Sequence, residues 1–349
     1  MAKQKIYILT GNNNFFGQTR KPWISMDVDK IVDVIQKNDF QVKKYTFHEI
    51  VNQKQTIENG IVFYTFSQKL NRRNYIKDVV RFLDSNNNPV IPSYDLLLCH
   101  ENKGYQELFK KKLDLFFLKS FYFSSIDELS QYDINFPIVL KSVDSSNGKF
   151  VFKINNEEEL HGKIQQLVKQ NFFTKMDLVR RKYFRKKKGY RDYPDYTNRK
   201  DYFQYRDYIL NENNFVLQEF IPGLTFDYRV LAISGRFYVM KRFTREGDFR
   251  ASGTKIQQYD IEVEANLLNF AKEVSAKFDT PFLSLDIGFY DNKYYLFEFQ
   301  ALHFGINAVV KTKGYYQNQN GSWKFVESDQ RIEEVIGEGL VNYINNELN

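Results

Sequence analysis

The chain has 349 residues, of which 42% are hydrophobic and 17% aromatic, and its formal net charge is +7. This length predicts two or three packed units, and the apolar content is sufficient for their cores. The single cysteine, Cys99, excludes an internal disulfide framework and a cysteine-based zinc site, and it favours a reducing cytoplasm. The first residues, MAKQKIYILTGNNN, are typical of a strand and a polar turn rather than a signal peptide, and no apolar run reaches the roughly 18 residues of a membrane span.

The first hundred residues alternate between strand and helix patterns. The predicted strands are KIYILT, FQVKKYTF, NGIVFYTF and PVIPS, and the predicted helices are DVDKIVDVIQKNDF and NYIKDVVRFLDSNN. This order predicts a three-layer α/β domain with a parallel sheet over residues 1–102. Ligands of such sheets bind beyond the carboxyl ends of the strands. The loops GNNNFFGQTRKPW and SQKLNRR are therefore candidates for contacting an anionic substrate, unless they are ordinary solvated loops.

The middle of the chain has a different pattern. A strand, a loop and a second strand are predicted for FPIVLKSVDSSNGKFVFKI. A helix capped by Asn156 is predicted for EEELHGKIQQLVKQ, and a hairpin that turns at Ser234-Gly235 is predicted for DYRVLAISGRFYVMKRF. Lys141 ends an apolar strand, where it either lies along the sheet edge or contacts a phosphate. The loop that follows, with Ser145, Ser146 and Gly148, is a candidate to cover a phosphate tail.

The segment LSLDIGFYDNKYYLFEFQ predicts a hairpin whose two apolar strands each carry a carboxylate. If its turn centres on Asn292, Asp286 and Glu298 are cross-strand neighbours, and Gln300 shares their face. Two carboxylates and an amide oxygen suit Mg²⁺. The alternative is that one carboxylate pairs with a lysine at the sheet end and the other is solvated.

Residues 175–206 are strongly basic, with twelve Lys or Arg against four Asp and with several interleaved tyrosines. This excess of eight positive charges exceeds the net charge of the whole chain. It is either a solvated insertion or a surface for an acidic polymer, since Arg and Tyr hold carboxylates and phosphates and stack on flat groups. Nucleic acid is the less favoured partner, because no nucleic-acid-binding fold signature lies beside the stretch.

Five motifs follow one another in the order found in ATP-grasp ligases. They are the strand-end Lys141 with its small-residue loop, LQEFIPG, DYRVLAISG, KRFTREGDFRAS and LDIGFYDNKYYLFEFQ. Over about Lys103 to Gly305 the chain resembles the branch that contains glutathione synthetases and the glutamate ligases of a ribosomal protein. The resemblance implies an α/β (α+β) fold with a pre-ATP-grasp domain at 1–102 and an ATP-grasp domain at 103–349. Its small lid subdomain would span about 125–220 and hold a basic insertion at 173–210.

The resemblance also implies residue roles. ATP would be bound by Lys103, Lys141, Ser145, Ser146, Gly148, Gln218, Glu219, Phe220 and Ile221. Asp227 would either face the ribose or hold Arg229. The phosphates and the acyl group would be contacted by Arg229, Arg242 and Arg250, and Mg²⁺ would be held by Asp286, Glu298 and Gln300. Three departures from the family pattern are Gln300 in place of Asn, one glycine in the phosphate loop, and Ser252 in the sequence RAS.

The implied activity is an ADP-forming, ATP-dependent carboxylate–amine ligase that works through an acyl phosphate. The expected acceptor is large or anionic, such as a uronic acid of a polysaccharide or a peptide side chain. The alternative is a nucleotide-regulated protein that kept the fold and binds nucleic acid. The four histidines form no recognisable triad. His303 follows the metal strand and is interpreted as structural, with a place near the site as the alternative.

Overall fold

The computed structural model describes residues 4–17, 23–53, 55–144, 149–167, 172–184, 194–209 and 213–348. By its internal contacts the chain forms two compact units. The first takes in Met1–Lys119 and Ile221–Asn349, and the second takes in Ser120–Ser145 and Lys149–Phe220. None of the described helices combines the length and apolar character needed to cross a membrane.

The N-terminal part of the first unit is built on a parallel sheet. Its elements are β1 Lys5–Thr10, α1 Val28–Lys37, β2 Gln41–Thr46, α2 Phe47–Asn52, β3 Ile61–Tyr64, α3 Leu70–Ser85, β4 Val90–Ile91, α4 Tyr94–Cys99 and α5 Lys103–Lys112, with a 3₁₀ turn at Asn12–Asn14. The strands lie in the order β2-β1-β3-β4. Apolar side chains of β1 alternate between the core with α1 and the core with α3. Helices therefore cover both faces, as predicted.

The second unit contains an antiparallel sheet with the strand order β5-β8-β6-β7. Its elements are β5 Ser120–Phe123, β6 Ile138–Ser142, β7 Val151–Ile154, α6 Glu157–Leu167, α7 Phe172–Tyr183, α8 Arg199–Ile209 and β8 Phe215–Glu219, with a 3₁₀ helix at Ile126–Gln131. The predicted cap of α6 is confirmed, because Asn156 Oδ1 accepts the backbone N–H of Glu159 at 2.9 Å. Helices α7 and α8 were not predicted from the sequence, which indicated only a basic insertion.

The C-terminal part of the first unit is a seven-stranded sheet in the order β13-β12-β9-β10-β14-β15, with β11 paired to β10. Its elements are β9 Phe226–Ile233, β10 Arg236–Phe243, β11 Gln257–Gln258, α9 Ala265–Ser275, β12 Phe282–Tyr290, β13 Lys293–Gln300, α10 Asn307–Lys311, β14 Gly314–Gln319, β15 Ser322–Glu327 and α11 Ile332–Glu347. One face packs on α9 through residues such as Val230, Leu285 and Leu268. At one end, the other face packs on α11 and α1.

One core joins the two sheets of the first unit. Ile8 and Phe63 of the parallel sheet share it with Leu231 and Phe282 of the C-terminal sheet. Residues on both sides of the predicted boundary at 102 therefore contribute to one hydrophobic cluster. The division of the chain into domains at residues 1–102 and 103–349 therefore stays a prediction.

Candidate active site

The β12–β13 hairpin places two carboxylates opposite each other. Its turn has two residues, Asp291 and Asn292, with φ of 50° and 56°, and Tyr290 pairs with Lys293. A regular ladder from this turn would set Asp286 against Phe297. A bulge between the Ile287–Leu296 pair and the Asp286–Glu298 pair omits Phe297 and brings Asp286 opposite Glu298. The predicted pairing is thus correct, although the sequence analysis assumed a three-residue turn and no bulge.

Gly288 makes room for the bulge. A Cβ at this position would lie 2.3 Å from the ring of Phe297, closer than side-chain carbons approach one another. The aromatic ring therefore occupies the space that a side chain at position 288 would need, and the bulge requires glycine there.

A chain of alternating charges crosses three strands beside this pair. Arg242 Nε and Nη2 donate to the two oxygens of Asp227 at 2.6 and 2.7 Å, and Nη2 also lies 2.9 Å from Asp286 Oδ2. Arg229 Nε and Nη2 donate to Asp286 at 2.8 and 3.0 Å. The sheet register explains the contacts, because Asp286 pairs with Arg229 across β12 and β9, and Asp227 pairs with Arg242 across β9 and β10.

Because this network is buried, each of its charged side chains depends on its neighbours in the network for stabilisation. Asp227, Arg242 and Asp286 are buried. Burial alone would raise the pKa of Asp286, but the charges of Arg229 and Arg242 outweigh it and hold the pKa below its usual value. Asp227 shares Arg242 with Asp286, and burial raises its pKa. Removing one member of such a set leaves a buried charge without its partner.

Two expected roles change with these contacts. Asp227 holds Arg242, not Arg229, which is bound to Asp286 instead. Arg242 was expected to act on the phosphates, yet its side chain is only 4% exposed and two carboxylates bind it. The sequence could not reveal this arrangement, because it depends on which strands become neighbours in the folded sheet.

Arg250 lies outside this network. Its guanidinium pairs with Asp248 at 2.8 Å, and the Arg250 side chain is 36% exposed. Hydrogen bonding to Asp248 raises the pKa of Arg250. The residue therefore carries a fixed positive charge at a partly open position, as a group that meets a substrate carboxylate requires.

The donor atoms of the hairpin fit a hard cation. Asp286 Oδ1 accepts one N–H whereas Oδ2 has two arginine contacts, so Oδ1 retains a lone pair. Glu298 forms no ion pair with any described residue, and its side chain accepts a hydrogen bond from Gln300 Nε2 at 3.3 Å. In the described ranges no three or more His, Cys, Asp or Glu side chains cluster to hold a metal. An ion here would rely on one or two carboxylates and on non-protein oxygens, which is the usual coordination of Mg²⁺.

Lys103 begins α5 beside a further acidic residue. It is buried, and Glu101 precedes it with φ of 50°. Burial raises the pKa of Glu101; Lys103 opposes this effect and Glu298 adds to it. Lys103, Glu101 and Glu298 thus share one electrostatic neighbourhood. Glu101 could not be predicted as part of this neighbourhood, because nothing in the local sequence pattern distinguishes it.

In the second unit, the predicted ATP-binding residues Lys141 and Gln218 meet. Lys141 Nζ donates to Gln218 Oε1 at 2.6 Å, across β6 and β8. Gln218 is buried, and its Nε2 has no partner among the residues that the structure describes. Glu219 is exposed, Ile221 is buried, and Phe220 lies under Lys153, whose Nζ is 4.5 Å from the ring centroid. The other loop candidates, Ser145, Ser146 and Gly148, lie outside the described residues.

Neither a family model nor a curated protein sequence matches the chain. Among solved structures it is similar to the D-cycloserine synthetase DcsG, with 10% identity over 97% of this chain and 98% of that one and a TM-score of 0.53. It is also similar to a Chryseobacterium gregarium RiPP-associated ATP-grasp ligase in complex with ADP and a leader and core peptide, with 12% identity over 96% of each chain and a TM-score of 0.51. The chain has the ATP-grasp fold. The macrocyclase MdnC from Microcystis aeruginosa MRC, bound with its precursor peptide MdnA, matches over 97% of this chain and 100% of that one, with 11% identity and a TM-score of 0.50.

These similarities confirm the fold that the sequence motifs predicted. The segments LQEFIPG and DYRVLAISG and the acidic hairpin fall on β8, β9 and β12–β13 of an ATP-grasp structure. At such low identity the similarity concerns the fold, so activity and residue roles are argued from the site itself.

Proposed function

We propose that the chain is an ATP-dependent, ADP-forming ligase that joins a carboxylate to an amine through an acyl phosphate. The observation that carries this proposal is the pairing of Asp286 with Glu298 on an ATP-grasp sheet, with Asp286 oriented by two arginines and Glu298 left without an ion pair among the described residues. A fold that bound only nucleic acid would have no use for this acidic pair.

Asp286, Glu298 and Gln300 are the proposed Mg²⁺ ligands, and ATP is the proposed nucleotide. The ion would neutralise the phosphates of ATP. Arg229 and Arg242 are positioning residues, because they hold the carboxylate of Asp286 in place. Lys103 and Lys141 are proposed to contact the phosphates, and the loop with Ser145, Ser146 and Gly148 to cover them.

The segment Gln218, Glu219, Phe220 and Ile221 is proposed to bind adenine through its backbone. The hydrogen bond from Lys141 to Gln218 supports this assignment, because it fixes the strand-end lysine beside the segment. Arg250 is proposed as the catalytic arginine. Its partly exposed guanidinium would hold the substrate carboxylate and then the acyl phosphate through paired hydrogen bonds.

The proposed acceptor is an acidic peptide that also carries apolar side chains. On α7, Phe172, Met176, Val179 and Tyr183 recur at helical spacing and are 69%, 54%, 52% and 67% exposed. We call these four residues the α7 stripe. Lys175, Arg180 and Lys182 lie on the same helix. A polysaccharide would use the positive charge but not the apolar side chains, whereas an acidic, partly apolar peptide would use both.

Arg181 shows how α7 is held while the stripe stays exposed. It binds Asp177 at 2.9 Å and lies over the ring of Tyr205 on α8, 4.0 Å from its centroid. Asp177 also accepts a hydrogen bond from Tyr205. These contacts fix α7 against α8, and the two peptide-bound ligases of the same fold support a peptide acceptor here.

The test is turnover with defined peptides. The chain would be incubated with ATP, MgCl₂ and peptides in which Asp or Glu alternates with apolar residues and Lys supplies an amine. ADP release would be followed by a coupled assay, and mass spectrometry would detect the loss of one water per amide formed. We expect ADP and amide in equal amounts. ADP release without amide across the whole peptide set would contradict a peptide ligase.

A further inference from the structure

Three side chains of the first unit bury polar nitrogens that have no hydrogen-bond partner in the part of the chain that the structure describes. His100 is 3% exposed, and neither of its ring nitrogens has a hydrogen-bond partner among the described residues. His303 Nε2 and Arg73 Nε are likewise buried without a partner in the described ranges. The backbone of Leu302 approaches His100 without reaching hydrogen-bonding geometry. Unsatisfied buried nitrogens are costly, and several in one place indicate a missing ligand.

These side chains come from separate parts of the fold and converge. The rings of His100 and His303 are nearly parallel, with an angle of 20° and centroids 6.3 Å apart. Arg73 lies on α3, which packs against α4 in the core that contains Ile76 and Leu97, and His100 directly follows α4. The charge of Arg73 acts on both His100 and Glu101. The three residues therefore form one cluster, which we call the histidine pair with Arg73.

The cluster adjoins the carboxyl ends of β1 and β3, where the order of the parallel sheet reverses direction. Phe66, just beyond β3, packs edge-on against His100 with centroids 4.2 Å apart. Gly17, beyond β1, lies close to His303, because a Cβ on Gly17 would be 3.7 Å from its Nε2. Gly17 N–H also donates to Thr65 Oγ1 at 2.9 Å, which ties the two loops together. Parallel sheets bind their ligands at such a reversal point.

The charged groups around the histidine pair with Arg73 favour an anionic ligand. Burial lowers the pKa of His100 well below its usual value, with His303 and Arg73 adding to the effect, and burial lowers the pKa of His303 to about 4. Both rings are therefore neutral at pH 7, and each offers one N–H. A cation would be repelled by Arg73 and by Lys77, one turn further along α3, whose pKa burial and Arg73 lower.

We propose that the histidine pair with Arg73 binds one carboxylate group of the ligase's substrate, distinct from the nucleotide. Arg73 supplies the charge and the paired N–H groups, and each neutral imidazole supplies one further hydrogen bond. Glu101 offsets part of the positive charge of Arg73, so the site matches a singly charged carboxylate better than a doubly charged phosphate. This inference rests on the proposed function for the identity of the ligand as a substrate.

The test uses the four histidines as reporters. In protein with ¹³C-labelled histidine rings, His100 and His303 report on the site, whereas the exposed His48 and His161 are internal controls. Acetate and then inorganic phosphate would be titrated at constant pH and constant ionic strength. We expect a saturable shift of His100 and His303 with acetate and none at His48 or His161. Unresponsive His100 and His303, or phosphate binding about tenfold tighter than acetate, would overturn the assignment.

Variants supply the matched control. Arg73→Gln should weaken acetate binding about tenfold, since a hydrogen-bonded charge is lost. Arg73→Lys should retain part of the affinity for acetate. Arg72→Gln changes the exposed neighbouring residue and should retain the full affinity for acetate. Equal acetate affinity in Arg73→Gln and wild type would also overturn the proposal. Binding of ADP with Mg²⁺ to the same samples separates the carboxylate site from the proposed ligase function. Wild type that binds ADP but not acetate refutes only the carboxylate site. Wild type that binds no ADP refutes the proposed function.

Discussion

Glu298 lies directly across the β12–β13 hairpin from Asp286, yet of the two only Asp286 is bound by arginines that the structure describes. The two carboxylates therefore have different energetic roles. Asp286 belongs to a buried network with Arg229 and Arg242, so its loss affects both folding and any bound cation. Glu298 is partly exposed and outside the described ion pairs, so its loss should affect the cation alone. This difference allows the two roles to be separated by experiment.

The first prediction concerns that difference. Asp286→Asn should lower the free energy of unfolding by about 3 kcal/mol, because it leaves the buried Arg242 and the half-buried Arg229 short of a charge. Glu298→Gln should change it by less than about 0.5 kcal/mol, as expected away from buried networks. Urea unfolding followed by circular dichroism measures both values. Equal losses in the two variants would contradict the assigned roles.

A second prediction compares two arginines. Arg242→Gln should destabilise the chain by about 3–5 kcal/mol, because Asp227 and Asp286 remain buried beside each other. Arg250→Gln should cost less than about 1 kcal/mol, because its pair with Asp248 is partly exposed to water. Thermal unfolding of both variants tests this. A melting temperature of Arg242→Gln close to that of Arg250→Gln would show that the network contributes little.

The buried histidines predict how stability depends on pH. His303 has a pKa of about 4 in the folded chain against 6.5 when unfolded, so the unfolded state binds more protons between these values. Stability should be complete above pH 6.5 and should fall by about 3 kcal/mol from His303 alone as the pH drops to 4. His100 acts in the same direction. The arginine-paired Asp286 loses its contribution only below its unfolded pKa of about 3.9, outside this window.

The variant that isolates this effect is His303→Asn. His303 has φ of 52°, a conformation that asparagine tolerates better than most residues. The urea midpoint should depend less steeply on pH between 6.5 and 4 in this variant than in wild type. Parallel pH profiles for the two proteins would show that His303 does not titrate as its burial implies.

The α7 stripe predicts a defect confined to the acceptor. Phe172→Ser with Val179→Ser should raise the KM for an acidic peptide and leave kcat and the KM for ATP unchanged, because binding equal in ground and transition states is lost. Phe82→Ser, at an apolar residue of α3 that is 59% exposed, is the matched control. A change in the ATP KM, or an equal effect from Phe82→Ser, would count against the stripe as a peptide surface.

The basic residues Arg185, Lys186, Lys187 and Lys188 lie outside the described residues but belong to the same insertion in the sequence. Replacing all four by serine should weaken the salt dependence of peptide binding, since electrostatic attraction at the surface is screened over about 10 Å at 0.1 M salt. A gel shift with DNA or RNA that these changes abolish, in a protein with no peptide turnover, would instead support the nucleic-acid alternative.

The sequence predicted the local elements better than the contacts between them. The strands of the parallel sheet and the hairpin at Ser234-Gly235 follow from apolar patterns and turn residues, and the structure contains them. The pairing of Asp286 with Glu298 was predicted through two errors that cancel, a turn one residue too long and a missed bulge at Phe297. Bulges depend on how the neighbouring side chains pack, here on the space above Gly288.

The tertiary part of the site could not be predicted. Arg242 reaches Asp227 and Asp286 only because β9 lies between β10 and β12, and strand order is a property of the whole sheet. His100 and His303, about two hundred residues apart in the chain, meet for the same kind of reason. Helix α8 was missed because charged and aromatic residues dominate its sequence, and the apolar spacing of α7 was overlooked within the basic stretch.

The most direct test of the proposed ligase is calorimetric titration of ADP into the chain with MgCl₂ or with EDTA. Wild type should bind ADP, and EDTA should weaken the binding about tenfold or more, because the acidic pair needs the cation between itself and the phosphates. Lys141→Met and Glu298→Gln should each weaken Mg²⁺-dependent binding to a similar extent, and the melting temperature of Glu298→Gln should be unchanged. Wild type that binds no ADP, or variants that bind it with unaltered affinity and Mg²⁺ dependence, would contradict the account.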